Sequence, residues 1–243
     1  MATETAQTQR LERTILALES RLAVMTDVGI KTIPSTSNPG PLGLFAFGLT
    51  TALLQGINST LTDGNSSGLV YSFGFFFGGL AQLIAGILEY SRKNSFATVA
   101  FTSYGTFWMA VALNGTLIKA GVYLPSVKGE EMMLSLWGIY TFLLWLCTFT
   151  SNLVLSALFL TLSLLFFFLA GGQTNHTLMK FAGVWGFIVS AIAWYLAVSN
   201  LLEELYGRPI LPIFPFKPIH GVKAGTFGTK HRADDPEVAE RKV

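Results

Sequence analysis

Charge is scarce in this sequence. Of 243 residues only 12% are Asp, Glu, Lys or Arg, against 51% hydrophobic residues and 20 Phe. That composition suits a polytopic membrane protein and excludes an ordinary soluble domain. Asp, Glu, Lys and Arg are missing altogether from 41–58, 69–88, 94–118, 132–179 and 181–202, and about 20 such residues cross a bilayer core. The 132–179 stretch is long enough for two crossings, split at Thr150-Ser151-Asn152. Six transmembrane helices are therefore predicted, over 41–58, 69 to about 90, 95–118, 132–149, 152–171 and 178–202. The expected fold class is an all-α integral membrane protein whose helices surround a central pore.

Other absences exclude activities. The single cysteine, Cys147, leaves no disulfide framework and no thiolate metal cluster, and is expected to be a small buried residue of the fourth helix. His176 falls in an outer turn, and His220 and His231 fall in the tail. No Ser or Cys has an evident base partner, so no enzyme activity, metal or cofactor is expected. A net charge of +2, with the basic residues dispersed, argues against a nucleic-acid partner. The spans also lack the mid-membrane carboxylate, His or Lys that a proton-driven pump usually buries. Either the path is channel-like or protons travel with the substrate as an undissociated acid. Glu89, near the end of the second helix, is the possible titrating group, with a surface pair to Arg92 or Lys93 as the alternative.

Three regions follow along the chain. Residues 1–37 form a polar arm without an apolar signal core, so the first span is expected to direct insertion. Within the arm, Leu11, Ile15, Leu18, Leu22 and Met25 recur at helical spacing. They predict an amphipathic helix packed on the protein or lying at the lipid surface, with a regulatory partner site as the alternative. Residues 38–206 form the six-helix transporter or channel domain. Residues 207–243 form a tail that is first a Pro-rich strap and then charged. Thirteen of the 16 Lys and Arg residues fall on the N-terminal side of the bilayer, and only Lys119, Lys128 and Lys180 fall on the other. Both termini are therefore expected to be cytoplasmic. Asn58-Ser59-Thr60 and Asn65-Ser66-Ser67, in the first outer loop, are formal glycosylation acceptors.

The stretch Asn38 to Thr51, N-P-G-P-L-G-L-F-A-F-G-L-T-T, reads as the mouth of a path through the membrane. Asn38 is the expected N-cap, with Pro39 and Pro41 beside the first turn. The exposed N–H groups of that turn would attract a carboxylate-sized anion. Thr50 and Thr51 carry hydroxyls where lipid would disfavour them, and the second helix combines Gly74, Gly78, Gly79 and Gly86 with Gln82 at mid-depth. The first, third and fifth helices run in one direction. At about 1.5 Å per residue, Phe47 lies about 9 Å in, Tyr104 about 14 Å and Leu162 about 15 Å. These three are candidates for one bulky constriction, with Thr50, Thr51, Ser103 and Thr161 as polar steps beside it.

Three long segments, the opening motif, G-G-L-A-Q-L-I-A-G-I-L-E-Y at 78–90 and N-S-F-A-T-V-A-F-T-S-Y-G-T-F-W at 94–108, resemble the acetate uptake transporter family. This family groups bacterial succinate-acetate permeases with fungal acetate and ammonia transport proteins. The resemblance runs from Asn38 to Leu211-Pro212. It implies a homohexamer in the plasma membrane with one pore per protomer, passing acetate and other short monocarboxylates. It also implies a narrow point of Phe, Tyr and Leu that falls on Phe47, Tyr104 and Leu162. Two positions depart from the family pattern. Gly40 stands where Ala is usual, which is expected to loosen the pore mouth, and Thr150 stands where many relatives carry a basic residue. Ammonia or ammonium export is the alternative within transport, and an acetate sensor signalling through the cytoplasmic termini is the alternative outside it.

Overall fold

The computed structural model describes residues 12–20 and 37–216. Met1–Ser37 and Asn38–Val243 are separate compact units. In the first, residues 12–20 are helical, with Ile15, Leu16 and Leu18 exposed. Leu11, Leu22, Met25, the linker over 30–36 and the tail beyond 216 lie outside the described residues.

The second unit holds six helices long and apolar enough to cross a membrane. They are α1 (Gly40–Asn58), α2 (Gly64–Ser91), α3 (Ser95–Lys119), α4 (Val127–Cys147, continued by a 3₁₀ turn to Thr150), α5 (Leu153–Gly172) and α6 (His176–Tyr206). Among the described residues no strand forms beyond an isolated bridge between Asn152 and Pro215. The helix-start signals act locally. Asn94, Ser126, Asn152 and Asn175 each accept a hydrogen bond from the backbone N–H three residues on, at 2.8 to 3.2 Å. Gly207 closes α6 in the left-handed region at φ 69°, and its N–H donates to the Glu203 carbonyl at 2.8 Å.

Several boundaries differ from expectation for physical reasons. The α4 helix begins at Val127 rather than 132, because Lys128, Glu130 and Glu131 occupy its first turns, and Glu130 near the N-terminus complements the helix dipole. The α6 helix extends at both ends, from His176 to Tyr206. The α2 helix is interrupted by a π-helical turn over Phe76–Ala81, around Gly78 and Gly79. Cys147 is exposed rather than buried, because its position faces away from the bundle.

The α1 helix is the centre of the unit and α4 its edge. The apolar window of α1 is 61% buried inside the protein, that of α4 22%. Small residues allow this packing. The Ser190 hydroxyl of α6 donates to the Gly48 carbonyl of α1 at 2.5 Å, and a Cβ on Gly105 of α3 would stand 2.7 Å from the Leu83 backbone nitrogen of α2. Beyond Gly207 the Pro-rich segment lies along the bundle. The Tyr195 hydroxyl donates to the Pro212 carbonyl at 2.8 Å, the Leu153 N–H to the Phe214 carbonyl at 3.0 Å, and the Phe216 N–H to the Ser151 carbonyl at 2.9 Å. The strap thus supplies an acceptor for the Leu153 N–H in the first turn of α5, beside the Asn152 cap on Leu155.

Candidate functional site

Four helices enclose one cavity of ≈ 20 Å³, lined by Leu44 and Phe47 of α1, Gln82 of α2, Ala100, Phe101 and Tyr104 of α3, and Leu158, Phe159 and Leu162 of α5. That is room for about one water-sized centre. Phe47, Tyr104 and Leu162, placed at similar depth by helix length alone, all line it. The rings of Phe47 and Tyr104 meet edge to face with centroids 5.9 Å apart. Tyr104 is also fixed from behind. Thr141 of α4 donates its only hydroxyl proton to the Trp137 carbonyl at 2.7 Å, so the Tyr104 hydroxyl donates to Thr141 Oγ1 at 2.8 Å. The polar end of Tyr104 is thereby held against α4, and its ring forms part of the wall.

The predicted polar groups divide. Gln82 is 1% exposed and lines the cavity, and its Oε1 has no hydrogen-bond partner among the described residues. Thr50 and Thr51, at 0% and 2% exposure, likewise carry unpartnered hydroxyls. Neither of these threonines lines the cavity, and nor do Ser103 and Thr161. The Ser103 hydroxyl is hydrogen-bonded to the Tyr140 hydroxyl at 2.8 Å, and Thr161 donates to the Ala157 carbonyl of its own helix at 2.7 Å. Each sits next in sequence to a wall residue, so at about 100° per residue it is rotated off the lumen.

At the start of α1, Asn38 is not the N-cap. That position is Pro39, and Asn38 Oδ1 accepts instead from the Gly40 N–H at 3.0 Å. Two of the protein's own carboxylates lie beside this turn, where the expectation was an open cradle for a substrate anion. The Asn38 N–H donates to Glu204 Oε1 at 3.1 Å, and Glu89 Oε1 lies 3.3 Å from where a Gly40 Cβ would stand. Glu89 is 2% exposed, accepts from Asn94 Nδ2 at 3.0 Å and lies 3.7 Å from Arg92 Nε. An alanine Cβ at Gly40 would stand 3.0 Å from Asn38 Oδ1 and 3.3 Å from Glu89 Oε1, so both side chains would have to give by a few tenths of an ångström.

Two buried side chains with unpartnered polar atoms among the described residues went unremarked in the sequence. Trp108 is 3% exposed with an unpartnered Nε1, and Asn200 of α6 is 2% exposed with neither amide atom partnered. The available signal was a polar group inside a charge-free run, which for Trp108 also lies four residues beyond Tyr104 on one helix face.

A family model described as GPR1/FUN34/yaaH matches residues 26–216. The chain belongs to the GPR1/FUN34/yaaH family. It is 39% identical over 182 residues to the succinate-acetate/proton symporter SatP of Escherichia coli (strain K12), covering 73% of this chain and 95% of that protein. It is 34% identical over 204 residues to acetate permease A of Emericella nidulans, covering 75% of this chain and 68% of that one. To ammonia transport outward protein 2 of Saccharomyces cerevisiae it is 33% identical, over 68% of this chain and 61% of that one. The solved structure of the bacterial acetate channel SatP superimposes with a TM-score of 0.71 at 39% identity, over 74% of this chain and 99% of that chain. With six apolar helices and these relatives, this GPR1/FUN34/yaaH member is an all-α integral membrane protein of the transport class.

Proposed function

We propose that this protein carries acetate and other short monocarboxylates across the plasma membrane, through one path in each subunit of a homohexamer, with both termini in the cytoplasm. The observation that carries the reading is the cavity at mid-bundle, apolar on eight of its nine lining residues and provided with one unpartnered amide oxygen, Gln82 Oε1. Acetate has the same make-up, a methyl group and one carboxyl. The names of the relatives, a succinate-acetate/proton symporter and an acetate permease, support the substrate class. Orientation rests on the excess of Lys and Arg on the N-terminal side, and hexamer formation on the family resemblance.

Room for about one water is too little for the four heavy atoms of acetate, so the described state is closed. An apolar neck of this width excludes ions by staying dry. Tyr104 is anchored through Thr141, so opening falls to Phe47 and Leu162, whose side chains carry no hydrogen bond. Gln82 Oε1 accepts a hydrogen bond from the O–H of the undissociated acid as it passes, and the proton crosses as part of that acid. Glu89 acts as a structural partner of Asn94 and Arg92 at the inner mouth.

Purified protein in liposomes, assayed for labelled acetate uptake with and without a pH gradient, tests this directly. Leu162→Ala and Phe47→Ala should admit longer acids such as butyrate and raise acetate flux several-fold. Unchanged uptake of both acids in both variants would remove the constriction from the mechanism. Labelled methylammonium in the same vesicles tests the ammonium reading suggested by the yeast relative. A chain lacking residues 1–30 should keep full uptake, whereas a sensor would be marked by lost signalling with uptake intact.

A further inference from the structure

The turn between α2 and α3 carries a second cavity, of ≈ 520 Å³, that the transport path does not use. It lies at the Asn38 end of the bundle, since Glu89 of the same helix end reaches the first turn of α1. Tyr90, Ser91, Lys93 and Ser95 line it, with Thr98 and Val99 farther into α3. The first four end in polar groups that make no hydrogen bond or ion pair among the described residues. Lys93 supplies the charge. Its neighbour Arg92 lies 3.7 Å from Glu89, and Asn94 donates to that same carboxylate at 3.0 Å. The carboxylate nearest in sequence is therefore engaged, and the Lys93 charge is uncompensated among the described residues.

A tight reversal of the chain fixes this arrangement. The Arg92 and Lys93 N–H groups donate to the Glu89 and Tyr90 carbonyls, each at 3.0 Å, and Lys93 adopts the left-handed region at φ 59°. The Lys93 ammonium and the Ser91 and Ser95 hydroxyls thus stand around one opening. The surface leading away from it is apolar. Ile84, Ile87 and Leu88 of α2, at helical spacing, and Val99 of α3 are all between 44% and 57% exposed. Counted from Tyr90, this face extends about 9 Å into the apolar part of two helices long enough to cross a membrane. Tyr90 itself is 76% exposed, an aromatic ring at the level where headgroups meet acyl chains.

We propose that this cavity binds the phosphate headgroup of an anionic glycerophospholipid from the leaflet on the Asn38 side, with Lys93 as counter-charge and the Ser91 and Ser95 hydroxyls as donors. A lysine ammonium is a compact cation with three donors, suited to phosphate oxygens. At about 30 Å³ per water molecule, the cavity is far larger than a single ion requires. A lipid fits better than a free anion, because Ile84, Ile87, Leu88 and Val99 offer its acyl chains an apolar surface that a soluble phosphate cannot use. Asn94 of the same turn donates to Glu89 beside the first turn of α1, so an occupied cavity braces that end of the bundle.

The test uses full-length protein, stripped of lipid in a neutral detergent and titrated with dioctanoyl phosphatidylglycerol, dioctanoyl phosphatidylcholine or inorganic phosphate. Native mass spectrometry counts bound lipid, and the unfolding temperature is followed in parallel. Phosphatidylglycerol should bind roughly fivefold more tightly than phosphatidylcholine, about the worth of one lysine facing an anionic lipid, and should raise the unfolding temperature. Inorganic phosphate at the same concentration should leave that temperature unchanged. Lys93→Gln should lose the preference, and Lys93→Arg and Lys128→Gln, the latter at the opposite end of the bundle, should keep it. Equal affinity for the two lipids, a preference that survives Lys93→Gln, or one lost equally in Lys128→Gln overturns the site. Stabilisation by inorganic phosphate equal to that by phosphatidylglycerol assigns the cavity to a free anion and overturns the lipid. Should Lys93→Gln lose its native elution profile, Ser95→Phe, which fills the cavity, is held to the same criterion. None of these readouts depends on what the protein transports.

Discussion

The Asn38 end of the bundle and its middle treat buried polarity in opposite ways. At the Asn38 end, Glu89 is met by Asn94 and Arg92, and Glu204 by the Asn38 N–H. In the middle, Thr50, Thr51, Gln82 and Trp108 are buried as deeply and carry unpartnered atoms. Asn200, on the Asn38 side by its antiparallel register against α1, is the exception to that division. Partnered groups join helices and their removal is felt as instability. Unpartnered groups weaken the empty protein and their value appears only with a ligand in place.

That contrast can be broken experimentally, and the largest effect is expected at the mouth. Glu89→Ala removes the shared partner of Asn94 and Arg92 and should cost about 3 kcal/mol, seen as a lower unfolding temperature in detergent. Glu89→Gln retains an acceptor and should lose less. If it keeps the wild-type pH dependence of uptake, Glu89 is excluded as a titrating group. Thr51→Val replaces an unpartnered hydroxyl by a methyl of similar size. It should stabilise the empty protein by about 1 kcal/mol, and a loss of stability would show that the hydroxyl has a partner within the fold. Smallest is Ser103→Ala, which removes the hydrogen bond to Tyr140. It should cost about 0.5–1 kcal/mol with uptake unchanged, and a transport defect there would return Ser103 to the path.

Much of the architecture was legible because its cause is local. Charge-free runs marked the spans, since burying an ion in lipid is costly wherever it happens. The start of α4 escaped because a helix can begin in charged residues before it enters the apolar layer. The π-helical turn escaped because a run of Phe and Gly accommodates either ladder, and the close packing of Gly78 against Thr50 and of Gly79 against Met109 belongs to the folded bundle. For the site, counting residues along parallel helices gave depth well enough to bring Phe47, Tyr104 and Leu162 to one cavity. Depth carries no information about angle, and that is why Ser103 and Thr161 were grouped with them.

Composition and spacing by themselves determined six membrane-crossing helices, their order and the level of each bulky residue, because hydrophobic length and helical rise act residue by residue. Which predicted polar groups line the cavity, that Glu204 and Glu89 lie beside the first turn of α1, and that Trp108 is left with a free donor were decided only in the packed bundle. Those outcomes depend on how helices distant in sequence rotate against one another, and no single segment carries that angle.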